Sequence, residues 1–407
     1  MKKIVVVGGG TIGWLTALFA KKYWENIDVT VIASSKIGIL GAGEGTTPNF
    51  PNILLKLGID VVDFAEKTGC TKKYGIEFVN WQEDNKSFKH NFQKSDDMFA
   101  YHFDARLVAE YLQNISEQRD IKYINGLITE FNENETGINQ IVLEDGNLID
   151  CDFIFDCSGF QRLIIGKHFK TEWKSYEKDL LCNSALAFFL PQLNPNIQNE
   201  KTWTKGIAMK NGWVWEAPLK HRRGCGYVYS DKHTNEVEVL KELEEYYGQE
   251  IEVVKHFKFK GGTYKKYWVK NCVAIGLASS FLEPMEATSL MTSIMFLKSL
   301  LSFNFDESNR ELFNQKMLNI NDQNLLFVRH HYSCDRVDTQ FWLDYKNNPL
   351  PDKLKKMYNP KTNQFKNLRN LDIRNLISEA DNISNFNWDS WFTVYKGKSK
   401  KFIKNLI

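Results

Sequence analysis

Lys3-Ile4-Val5-Val6-Val7-Gly8-Gly9-Gly10-Thr11-Ile12-Gly13 opens the chain, and its reading decides the fold. An apolar run without polar alternation reads as a strand buried on both faces, as in a parallel sheet. It runs into Gly8, Gly10 and Gly13, spaced G-x-G-x-x-G. Gly8 allows the tight turn, Gly10 lets backbone approach a pyrophosphate, and Gly13 lets the next helix pack on the strand. A helix is predicted over 11–24, and the amides at its start, from Thr11 on, suit phosphates. Asp28-Val-Thr-Val-Ile32 supplies a second strand and completes a βαβ opening. Placed between strand and helix, the glycines read as a dinucleotide fingerprint rather than an ordinary turn. One part is missing. An acidic residue ordinarily ends the second strand to bind a ribose hydroxyl. Ala33 stands there and cannot accept that bond, which leaves Ser34 or Ser35. The motif occurs once, so no second, nicotinamide site is expected.

Outward from this unit, Thr47-Pro48 reads as an N-cap and first-turn proline opening a helical region over 49–68. Helical apolar spacing recurs over 104–118. From 122 to 157 the period changes to short strands with turns between them, including the hairpin dipeptide Asp145-Gly146. Phe153-Ile-Phe155 then runs into Asp156-Cys-Ser-Gly159. A meander that returns to a glycine-ended strand is the pattern of FAD-binding two-dinucleotide folds. Residues 166–255 read as a second sheet, and Val273-Ala-Ile275 as another core strand before Gly276-Leu-Ala278. A helix is predicted from Thr288 to about Leu301, and helical structure over 310–346. The fold class is therefore α/β with α+β mixing. Residues 1–165 plus 256–302 form the FAD-binding domain. Residues 166–255 plus 303–407 form the substrate-binding domain, a mixed sheet with helices.

Composition removes several classes. The 407 residues are 43% hydrophobic and 25% charged, which is globular rather than disordered. A net charge of +2 gives no reason to expect nucleic acid. No signal peptide and no span of about 18 apolar residues is visible, so no membrane partner is expected. Seven cysteines without C-x-x-C or Cys/His metal spacing read as reduced thiols in a cytoplasmic protein, with no metal. The lysine-rich end from Lys396 reads as a solvated tail. Aromatics reach 14%, which is either core or the lining of a pocket for a flat ligand.

Further motifs resemble a known family. Gly8-Gly-Gly-Thr-Ile-Gly-Trp14, Gly43-Glu-Gly-Thr-Thr-Pro48, Lys73-Tyr-Gly-Ile-Glu-Phe-Val-Asn-Trp81, Trp213-Val-Trp-Glu-Ala-Pro218 and Ser280-Phe-Leu-Glu-Pro-Met-Glu-Ala-Thr-Ser289 occur in this order across almost the whole chain. His331-Tyr332, with Arg336, Asp338, Phe341 and Trp342, follows. Together they resemble the flavin-dependent halogenases typified by tryptophan halogenases. The pair of W-x-W-x-x-P and Glu-Pro-x-Glu carries most of the specificity. Ala217, Ala287 and Ser289 depart from the family's usual Ile, Ser and Gly, and the chain is shorter than typical members. It is therefore similar to compact members, including viral ones and those acting on free indoles.

The resemblance implies that reduced FAD (FADH2), O2 and halide yield hypohalous acid, which moves through the protein to a lysine beside an aromatic, indole-like substrate. Lys73 matches that lysine, either as an ammonium that polarises the oxidant or as an amine that is halogenated. Taken alone, Lys72 and Lys73 would read as surface charges. Glu286 matches the carboxylate that takes the ring proton, with Glu283 the next candidate; the plain alternative is an acid stabilising a helix start. Thr288 and Ser289 offer amides for the halide, with chloride, bromide and iodide left open. Gly43, Glu44, Thr46, Gly276 and Ala278 join Gly8, Gly10, Thr11, Gly13 and Ser34 as cofactor-binding candidates. Trp213 and Trp215 share a strand face near the flavin, or are half-buried sheet aromatics. His102, Phe103, Trp388 and Trp391 are candidates for the arene pocket, with core packing the plain alternative for each. A separate flavin reductase is the expected partner, and a homodimer is open. The rival readings are a flavin-dependent aromatic monooxygenase, which would oxidise nicotinamide itself, and a non-catalytic FAD-binding protein.

Overall fold

The opening run is a strand, Lys2–Val7, at the heart of a six-stranded sheet. Its neighbours are Ile27–Ala33 on one side and Phe153–Asp156 on the other, both parallel to it, with Val6 opposite Val31 and Phe155. Lys122–Asn125 extends one edge, and Cys272–Ala274 with Trp268–Val269 the other. The computed structural model describes residues 1–39, 44–82, 86–92, 98–303, 306–357, 386 and 388–398. Ile4 and Val6 pack with Trp14, Val29 and Val31 on one face, while Val5 and Val7 pack with Ile32, Ile138, Ile141 and Ile154 on the other. Both faces are covered, which is why the run shows no polar alternation. The helix Thr11–Tyr23 covers the first face. The antiparallel meander Ile128–Asn134, Gly137–Leu143 and Leu148–Asp150 covers the second.

A nine-stranded sheet forms the other half. Val253–Lys258, Ser184–Pro191, Arg222–Tyr229, Gly212–Pro218, Thr202–Ala208, Thr71–Val79, Ala100–Phe103 and Glu44–Gly45 follow in spatial order, and Ser87–Asn91 also pairs with Thr71–Val79. This sheet takes strands from both sides of residue 165. One of its faces packs on the helices Arg310–His331 and Gln340–Asn347 through Phe78, Trp81, Trp213, Val328, Tyr332 and Trp342. The other face packs on Glu236–Tyr247 through Leu186, Val214, Tyr227, Val239 and Leu243.

Local chemistry accounts for two departures from expectation. The helical region 49–68 is two helices, Asn49–Lys56 and Val61–Thr68. Gly58 turns the chain at φ +70°, and the Asp60 carboxylate caps the second helix by accepting from the amides of Val62 (2.8 Å) and Asp63 (3.3 Å). Thr47 does not cap the first: Pro48 occupies the N-cap, and the buried Thr47 hydroxyl has no partner among the described residues. The region 310–346 likewise breaks after His331, and the break brings Tyr332 under the sheet.

Candidate active site

At the glycine motif the close approaches are physical. A Cβ at Gly8 would lie 2.2 Å from the Cys157 carbonyl oxygen, and one at Gly13 would lie 1.9 Å from that of Gly8. At Gly10 nothing lies within 4 Å, so the backbone is open to a ligand. The helix that follows has no side-chain cap, and the buried Thr11 hydroxyl has no partner among the described residues. An uncapped helix start, an open glycine and an orphan hydroxyl fit the pyrophosphate of FAD. Gly276–Ala278 forms a short turn whose Gly276 packs on Ile12 of the same helix. The Ser34 hydroxyl accepts the Lys36 amide (3.2 Å), and Ser35 is tied to Asn125 by two bonds. A hollow of about 150 Å³ opens there, lined by Ser34, Lys36, Asn125, Leu127 and Glu144 among others. Glu44 is exposed on an edge strand opposite Phe103. The Thr46 hydroxyl is engaged with Tyr101, accepting its amide and donating to its carbonyl. Gly43 lies outside the described residues.

Lys73 sits inside the protein, only 1% exposed, on the strand Thr71–Val79. Strand alternation turns Lys72 to solvent and Lys73 inward. Gly45 makes room for it: a Cβ there would lie 2.8 Å from the lysine Nζ. Burial pushes the Lys73 ammonium down to about 8, while the charge of Glu286 pulls the other way. The Phe92 ring lies 5.5 Å from Nζ.

Glu286 lies in the loop before the helix Thr288–Ser302. Glu286 and Ala287 both adopt left-handed backbone, at φ +62° and +53°. For non-glycine residues this costs roughly 1–2 kcal/mol each, so the surrounding fold must hold them there. The strained turn is followed by the uncapped amides of a helix that starts with buried Thr288 and half-buried Ser289. The Glu286 carboxylate is buried, and its Oε1 meets His90 Nδ1 at 2.8 Å and His331 Nε2 at 2.9 Å. Burial would raise its pKa, but the two imidazoles outweigh this and hold it below the usual carboxylate range.

Glu283 is different. Its Oε2 accepts from Trp213 Nε1 (2.9 Å) and from the Tyr332 hydroxyl, and its Oε1 has no partner among the described residues. Burial pushes it up to about 7, and the two neutral donors offset this only in part. Trp213 is thus anchored to the same loop that carries Glu286. Trp215 is half-buried on the same strand face, its ring lying over Gly226.

The remaining pocket candidates separate. His102 is enclosed by the hydroxyls of Thr71, Thr202 (both 3.2 Å) and Thr204 (2.8 Å). Burial, reinforced by Lys73, holds its pKa well below the usual value, so the ring is neutral. Phe103 stacks on Phe50 in the core of the first half, away from Glu286. Trp391 is buried against Phe327 and His330 on the helix Trp388–Lys398; the side chain of Trp388 lies outside the described residues. His102 stays within electrostatic reach of Lys73, and His90 and Phe92, which the sequence reading did not name, also reach Glu286 and Lys73. The signal for them was proximity in pairing: Ser87–Asn91 is the strand partner of the lysine strand, with His90 opposite Ile76.

The family model described as Tryptophan halogenase matches residues 3–98 and 93–401. The chain belongs to the tryptophan halogenase family. This halogenase is 27% identical to Tryptophan 6-halogenase ThaL of Streptomyces albogriseolus, over 87% of its own chain and 81% of that relative. It is also 27% identical to Tryptophan 7-halogenase RebH of Lentzea aerocolonigenes, over 86% of its own chain and 80% of RebH. Among solved structures it is similar to BrvH, a flavin-dependent halogenase from Brevundimonas sp. BAL3, with a TM-score of 0.84 and 27% identity over 100% of this chain and 92% of that one. The mixed α/β architecture with several sheets is that of the flavin-dependent halogenases. Among the described residues no group of three or more His, Cys, Asp or Glu is placed to hold a metal ion, and no helix is long and apolar enough to cross a membrane. All seven cysteines are free thiols.

Proposed function

We propose that this halogenase transfers halogen to an aromatic, indole-like substrate between Lys73 and Glu286. The observation that carries the reading is a lysine buried in the interior together with a buried carboxylate, Glu286, that lies far from it in the sequence and whose charge it feels. Gly8, Gly10, Thr11, Gly13 and Gly276–Ala278 would hold FAD, which when bound and reduced would supply the two electrons for O2 activation and hence the oxidant for the halide. Reduced flavin comes from a separate reductase. Halide sits at the amides of Thr288 and Ser289, where the helix start favours an anion. Below about pH 8 Lys73 is mainly an ammonium. It donates a hydrogen bond to the oxygen of hypohalous acid and polarises the O–halogen bond. The ring carbon attacks halogen, the departing oxygen takes a proton from the Lys73 ammonium and leaves as water, and Glu286 Oε2 takes the ring proton that restores aromaticity, because Oε1 is already engaged by two histidines. The ring of Phe92 beside Lys73 suits a flat substrate.

The test is one assay with flavin reductase, FAD, NADH, O2 and a panel of arenes in chloride, bromide and iodide, read by mass spectrometry, with catalase and a hypohalite scavenger present. A halogen isotope pattern or mass shift is expected. A hydroxylated product would favour a monooxygenase instead, and flavin binding without product a non-catalytic role.

A further inference from the structure

The two histidines on Glu286 do not have the same status, and hydrogen-bond bookkeeping separates them. His331 Nδ1 meets the Phe327 carbonyl oxygen at 2.8 Å. A carbonyl only accepts, so Nδ1 carries a proton. His331 Nε2 meets Glu286 Oε1 at 2.9 Å, and something must donate across that contact too. Either Nε2 is also protonated and His331 is an imidazolium facing a carboxylate, or Glu286 is the neutral acid donating to a neutral ring. In both arrangements one proton is confined to the pair.

The fold decides between them. His331 is the last residue of the helix Arg310–His331, whose C-terminal end favours a cation. Glu286 stands two residues before the helix Thr288–Ser302, whose N-terminal end favours an anion. The two helix ends meet at this pair with the polarity of an ion pair. His90 Nδ1 supplies a second hydrogen bond to the same Oε1. We infer that His331 is a permanently charged positioning residue, an imidazolium that keeps the buried Glu286 ionised and leaves Oε2 as its single working oxygen.

The depressed proton affinity of Glu286 agrees with this arrangement. Around the pair, the strand Thr71–Val79 contributes Lys73 and the strand Ser87–Asn91 contributes His90. The first turn of the helix Thr288–Ser302 contributes no acidic side chain. Phe78, Trp81 and Phe327 close around the His331 ring and keep water from the contact. The charge on His331 thus offsets the cost of burying a carboxylate.

The inference rests on the proposed role of Glu286 for its kinetic consequence but not for its spectroscopic one. Wild-type protein labelled with 15N at its histidines reports ring protonation directly. The His331 signal is assigned by its loss in His331→Gln, or in His331→Asn if the glutamine variant does not fold. Both ring nitrogens should remain protonated well above the ordinary histidine pKa of about 6.5. A ring protonated only at Nδ1 there would overturn the inference. In halogenation assays, His331→Gln keeps a donor but removes the charge. The acidic limb of its kcat profile should move to higher pH by about one unit or more, with KM little changed. An equal loss of kcat at every pH would mean that His331 only packs, and would also overturn it. Should the wild-type protein halogenate no arene, the proposed function fails while the spectrum still decides the state of the pair.

Discussion

Glu283 and Glu286 lie three residues apart in one loop, both buried, yet their surroundings drive them in opposite directions. Glu286 is met by two imidazoles and is held ionised, and its charge acts on Lys73. Glu283 is met by an indole and a phenol and is pushed up to about 7. Burial acts the same way on both, so the difference comes from the partners alone: groups that can carry positive charge oppose desolvation, and neutral donors offset it only in part. One loop therefore holds one carboxylate ionised and drives the other toward its neutral form. Their backbones differ too, since Glu286 and Ala287 are in the left-handed region and Glu283 is not.

The largest effect belongs to Lys73, on which the charge of Glu286 acts. Lys73→Ala should lower enzymatic halogenation by about 10⁴-fold or more, measured as product per flavin reoxidised, because the proposed mechanism has Lys73 hold the oxidant at the ring. If it still halogenates enzymatically, the role of this side of the comparison collapses. Glu286→Gln should follow, with kcat lower by about 10³-fold, the scale of losing a positioned base, and KM far less affected.

Glu283→Gln should leave most activity in place and instead alter how stability depends on pH. In the folded state the Glu283 pKa stands at about 7, above its ordinary value of 4.5. Between those two values the folded protein binds more protons than the unfolded chain, so stability falls as pH rises from about 4.5 to about 7 and is flat beyond. That loss is about 3 kcal/mol for the wild type, and denaturant titrations across this window should show it disappear in the variant, which stays neutral. A comparable loss of kcat in both glutamine variants would erase the distinction between the carboxylates. The smallest effect is expected from Ala287→Gly. Relief of left-handed strain, partly cancelled by the freedom that glycine adds to the unfolded chain, should stabilise by about 1 kcal/mol in the same titrations. On the alkaline side, wild-type kcat should fall as pH passes about 8, where Lys73 loses its proton.

The dinucleotide half of the molecule was legible residue by residue, because its determinants are local. A strand buried on both faces is a contiguous apolar run, and a backbone that must pass within bonding distance of another can only be glycine, as the contacts at Gly8 and Gly13 confirm. Lys72 and Lys73 read as a surface pair on their own, and only the pairing of the strand Thr71–Val79 turns Lys73 inward and Lys72 outward. Phe103 shows where local reading stops. It directly follows His102, yet its ring belongs to the core around Phe50, while Phe92, eleven residues earlier, lies beside Lys73.

By itself, the sequence established the strand–glycine–helix opening and the loop bearing two acids, since each is a short-range pattern of size, polarity and backbone freedom. Only the tertiary structure decided which acid is held ionised. His90 and His331 reach Glu286 from 196 and 45 residues away, and Tyr332 and Trp213 reach Glu283 from 49 and 70. The charge state of a buried carboxylate is set by what packs around it, and no spacing along the chain records that.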